Sequence, residues 1–93
     1  MQSAISAIID EIPKGRIFDS HYVINKLIKD YSDIYLIYAS NINANSGKTF
    51  VVHGNIGKEI ARFNDTSVRQ LQDLSWSENI HGKSSECACW QKI

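Results

Sequence analysis

A change of hydrophobic period in the last third of the chain limits the folds open to it. Before that point, apolar residues recur at helical spacing in separate stripes. Ile5, Ile8, Ile9 and Ile12 form the first, Val23, Ile24, Leu27, Ile28 and Tyr31 the second, and Val52, Ile56, Ile60 and Phe63 the third. Beyond Asn64 the helical period disappears. Val68–Ile80 and Ser84–Ile93 flank the turn-like His81-Gly82-Lys83 and carry Leu74, Trp76, Ala88 and Trp90 in a pattern suited to a half-buried two-stranded ribbon. Three main helices followed by a C-terminal β-hairpin make an α+β fold, and 93 residues suffice for a single domain, 1–93, around one core.

Local signals place the boundaries. Ser3 caps the first helix, Ser3–Ile12, and Pro13 with Gly15 stops it; Arg16-Ile17-Phe18 follows as a brief strand. Asp19-Ser20 caps a second helix over Ser20–Asp30. The run Ile34–Ala39 is nearly all apolar and reads as a short buried helix, with a strand as the alternative. Ser40–Gly47 is the clearest loop, because Asn and Ser side chains compete for backbone hydrogen bonds and Gly relaxes the chain. The next helix, Phe50–Asn64, holds Gly54 and Gly57 in its interior. Each costs about 1 kcal/mol relative to Ala, which points to close packing against a neighbour or an irregular first turn. Trp76 and Trp90 are candidates to pair across the ribbon.

The order of helix, short strand, helix, short helix, loop, helix and hairpin resembles a winged helix-turn-helix domain over most of the chain. That resemblance implies binding to duplex DNA, as in a small transcriptional regulator, with Phe50–Asn64 as the reading helix and Asn79–Ser84 as the tip of the wing. Asn55, Lys58 and Arg62 lie on one face of the helix, opposite its apolar stripe, with donors suited to base edges and phosphates. Lys48, Thr49 and His53 stand near its start, where phosphate contacts concentrate. His81 and Lys83 project from the turn at Gly82. Domains of this type often pair, so a homodimer is a further expectation.

Other readings follow from other features. Net charge is zero and neither half departs from neutrality by more than one charge, so a basic surface has to be assembled in space. Glu59 inside the reading helix and the length of Ser40–Gly47 depart from the winged-helix pattern and suit a protein-protein interaction module instead. Gly54-Asn55-Ile56-Gly57 is similar to the G-x-x-G of KH domains, which would imply single-stranded nucleic-acid binding.

Catalysis is not expected. Asp19, Ser20 and His21 are adjacent, capping accounts for the first two, and catalytic sets are assembled across a fold; Ser75, Ser77 and Glu78 show no partner constellation. No phosphate loop, dinucleotide fingerprint or zinc-protease motif is present. Cys87-Ala88-Cys89 supplies half of a zinc site, with only the dispersed His21, His53 and His81 to complete it, so small packing residues near Trp90 are the expectation and neither metal nor cofactor is assigned. No apolar run reaches the roughly 20 residues that span a bilayer, and two closely spaced cysteines fit a cytoplasmic protein better than a disulfide-framed secreted one.

Overall fold

A computed structural model describes residues 1–93. Its elements run α1 (Gln2–Glu11), β1 (Ile17–Asp19), α2 (Ser20–Asp30), α3 (Ser32–Ser40), α4 (Lys48–Ala61), β2 (Val68–Gln70), β3 (Ser75–Glu78), β4 (Ser84–Cys87) and β5 (Cys89–Lys92). The α+β class is therefore correct, and four helices accompany two small antiparallel sheets. No helix is long and apolar enough to cross a membrane.

The three apolar stripes meet in one core. Ile5, Ile8 and Ile9 of α1, Val23, Ile24 and Leu27 of α2, and Val52, Ile56 and Ile60 of α4 are all buried there. Phe18, Val68 and Trp90 close it from the three strands β1, β2 and β5. Those strands form one sheet in the order β1-β5-β2. Register sets Phe18 opposite Trp90, so one face of the sheet packs on the helices. The last strand also secures the first helix: Lys92 Nζ donates to the Ile9 carbonyl at 2.7 Å, a cation at the negative end of α1.

Three expectations are corrected. The C-terminal third is not one ribbon. Leu71–Leu74 interrupts one arm and Ala88 the other, so β3 and β4 form a separate two-stranded sheet projecting from the body. Trp76 consequently pairs with Glu86 rather than Trp90, and the tryptophans separate: Trp90 is 1% exposed, Trp76 68%. The short apolar helix α3 buries no residue at all; Leu36 and Ile37 are exposed while Tyr35, Tyr38 and Ala39 pack partly against the core. The reason is layering. α1, α2 and α4 already fill the core against the sheet, which leaves α3 one side to cover.

The helix named as Phe50–Asn64 starts two residues earlier, at Lys48, and closes at Ala61. Gly47 precedes it at φ +60, a left-handed conformation that glycine adopts without steric cost. Gly54 and Gly57 are not explained by tight packing: a Cβ built on either meets nothing within 4 Å.

Candidate functional site

The first turn of α4 and the tip of the β3–β4 hairpin meet. Lys48, Thr49, Lys58 and Arg62 are exposed on the helix, as are His81 and Lys83 on the turn. The two parts touch where Thr49 Oγ1 and His81 Nε2 share a hydrogen bond at 3.2 Å. Asn79 holds the turn in shape. Its Oδ1 accepts from the backbone N–H groups of His81 (2.9 Å) and Lys83 (3.3 Å), while Gly82 takes φ +74.

Two residues of the anticipated set sit elsewhere. Asn55 is half-buried, next to Ile56 in the core. His53 is half-buried and shares a 2.8 Å hydrogen bond with the Tyr35 hydroxyl of α3. Burial, reinforced by the nearby His81 and His21, holds the His53 imidazole below its usual pKa. The shift favours the neutral ring. Burial also raises the Tyr35 phenol. Arg62 lies 3.6 Å from Glu59, so part of its charge is offset. The G-x-x-G segment is continuous helix with Ile56 fully buried, and it offers no loop to clamp a backbone.

Between α4 and the hairpin runs a cleft of about 480 Å³. Gly54, Gly57 and Ala61 make its α4 wall smooth, and His21, His53 and His81 line it. The small residues of the helix thus open space instead of closing a contact.

Behind this cleft, where the hairpin leaves the body, lies a polar cluster that the sequence does not reveal. Asp19 Oδ1 accepts from the Tyr22 N–H at 2.9 Å and so caps α2, as its position predicts. Its Oδ2 also accepts from the hydroxyls of Ser75 and Ser77, both at 2.7 Å, across to β3. The same Ser77 oxygen lies 2.7 Å from His21 Nδ1. Burial works to raise the Asp19 carboxyl, but the two serines, the Tyr22 N–H and the charge on His21 together hold it below its usual 3.8. Cys87, at the end of β4, completes the group; burial pushes its thiol up. Donor atoms of Asp19, His21 and Cys87 all fall within 4.8 Å of one another.

Several readings are revised by this cluster. Ser75 and Ser77 do have partners, and Asp19 and His21 converge on one hydroxyl although they are near neighbours in sequence. Ser20 is no cap; it is buried, donating to the Ala88 carbonyl at 3.4 Å and accepting from Trp90 Nε1 at 3.1 Å. Cys87 and Cys89 are free thiols, and they line different clefts. Alternation along β3 and β4 gives the one signal that was available: if Ser75, Ser77, Ser85 and Cys87 face the body, Trp76, Glu78 and Glu86 face out. No protein-family model, curated protein or solved structure matches the chain.

Proposed function

We propose that the chain is a winged helix-turn-helix module that binds duplex DNA through the exposed side of α4 and the hairpin tip. The order of the elements and the β1-β5-β2 sheet support the architecture. One observation carries the functional reading: the Thr49–His81 hydrogen bond fastens the hairpin tip to the first turn of α4. Lys48, Lys58 and Arg62 along the helix and Lys83 on the tip are all exposed and free to face a polyanion, although the net charge of the chain is zero. A helix supported by an adjoining hairpin is a geometry that fits a major groove and its flanking phosphates.

The test is fluorescence anisotropy of a labelled random-sequence duplex at low and moderate salt. Binding should weaken with salt, and replacing Lys58 and Arg62 together with Ala should lower the slope of log K against log salt by roughly 2. An unchanged duplex signal at low salt with protein at ~100 μM, beyond ordinary non-specific affinities, would overturn the reading.

A second reading, a protein-interaction module, is favoured by one specific feature. Phe50 is 84% exposed at the start of α4, and on the outer face of the hairpin the exposed Trp76 is flanked by Glu78 and Glu86. Aromatic residues are enriched at protein interfaces, whereas those glutamates repel phosphate. Sedimentation velocity of the wild type and of Phe50→Ser tests self-association through this surface; a concentration-dependent dimer lost in the variant supports it.

A further inference from the structure

We propose that Asp19, His21 and Cys87 form a zinc site that pins the β3–β4 hairpin to the N-terminus of α2. The three residues belong to three different elements: Asp19 ends β1, His21 lies in the first turn of α2, and Cys87 ends β4. Each offers one donor atom, and the donors lie within 4.8 Å of one another, so a contraction of about 1 Å brings them to the separations found around one tetrahedral ion. A carboxylate oxygen, an imidazole nitrogen and a thiolate sulfur are the ligand types that zinc accepts, and the thiolate disfavours magnesium and calcium.

The surroundings are those of an oriented ligand set. Ser77 bonds both Asp19 Oδ2 and His21 Nδ1, and Ser75 bonds Asp19 Oδ2 as well. Such contacts fix ligand orientation and commonly change metal affinity by about 10–100-fold. All three ligands are half-buried, and His21 and Cys87 border the cleft beside α4, which provides a route for the ion and for a solvent molecule in the fourth position. On binding, the Cys87 thiol releases its proton to solvent and the sulfur enters as thiolate. This inference does not depend on DNA binding. The site lies at the base of the hairpin, and its readout, a thiolate-to-cobalt band, is independent of any duplex titration.

The test is titration of the reduced, full-length chain with Co²⁺, a spectroscopic stand-in for zinc, followed by displacement with Zn²⁺. The expected result is a thiolate-to-cobalt absorption band that saturates at one equivalent, is removed by Zn²⁺, and accompanies a rise in the thermal midpoint. Cys87→Ser should abolish the band, Cys89→Ser should retain it, and Ser77→Ala should weaken Co²⁺ binding by about 10-fold. Circular dichroism checks that each variant is folded. Should Cys87→Ser not fold, His21→Ala serves in its place, with the same loss of binding. Absence of a band for the wild type at saturating Co²⁺, or a band that survives in Cys87→Ser and vanishes in Cys89→Ser, would overturn the site.

Discussion

Trp90 Nε1 donates to the hydroxyl of Ser20 at 3.1 Å, with both residues buried in the core. This bond joins the middle strand of the sheet to the first turn of α2 and satisfies the indole N–H of a side chain only 1% exposed. Ser20→Ala removes the acceptor while leaving the donor buried. An unpaired buried donor costs about 1–3 kcal/mol, so the urea midpoint of Ser20→Ala should fall accordingly. A midpoint equal to that of the wild type would mean that the indole has another partner.

The two tryptophans should behave as opposites. Trp90 sits against the core and Trp76 projects from the outer face of the hairpin. Trp76→Phe should leave blue-shifted emission that acrylamide quenches poorly, and stability should change by less than about 0.5 kcal/mol, as for other exposed positions. Trp90→Phe, which also removes the donor to Ser20, should leave red-shifted, readily quenched emission and a clearly less stable protein. Equal quenching of the two single-tryptophan variants would contradict the split of the C-terminal third into two sheets.

That split marks the limit of what the sequence made legible. Helical periodicity is a local property, so the stripes through Ile5–Ile12, Val23–Tyr31 and Val52–Phe63 identified three helices and most of the core. The α3 run was legible as a helix but its burial was not, because burial depends on whether another layer arrives to cover it. Hairpin register is equally non-local: the turn at Gly82 was visible, while the interruptions at Leu71–Leu74 and Ala88 were set by the demand that Trp90 face the helices. In the proposed interface, the exposed placement of Lys48, Lys58, Arg62 and Lys83 followed from position along the helix and turn. The partial burial of His53 and Asn55 was not legible, since it depends on neighbouring elements. Asp19, His21 and Cys87 come together only when β4 lies beside the start of α2, and no spacing in the chain records that event.

The helix glycines provide a third test. Gly54 and Gly57 have room for a methyl group and neither takes a positive φ, so Gly→Ala at each should stabilise the protein, by up to about 1 kcal/mol through helix propensity and the reduced freedom of the unfolded chain. Gly82, at φ +74, should respond in the opposite direction, losing about 1 kcal/mol as Ala because an L side chain is strained there. Denaturant titration of the three single variants reads both signs. Destabilisation by Gly54→Ala and Gly57→Ala would show that the cleft wall is packed against something.

The final prediction concerns mild acid. Burial, with His81 and His21 nearby, lowers the pKa of His53 below the 6.5 of an unperturbed imidazole. Well above pH 6.5 the ring is neutral in both folded and unfolded chains and contributes no pH dependence. As pH falls through 6.5 the unfolded chain takes up the proton first, so the native state loses stability until the lower folded pKa has also been passed. Asp19 acts in a separate, more acidic window: its depressed folded pKa contributes stability that is complete above 3.8 and is lost as pH falls further, through the folded value. Unfolding free energy measured against pH should therefore slope downward on acidification just below 6.5 and again below about 4. His53→Gln, which keeps a polar partner for the Tyr35 hydroxyl, should flatten the first slope and leave the second, whereas Asp19→Asn should do the reverse. Retention of the upper slope in His53→Gln would assign it to a different group.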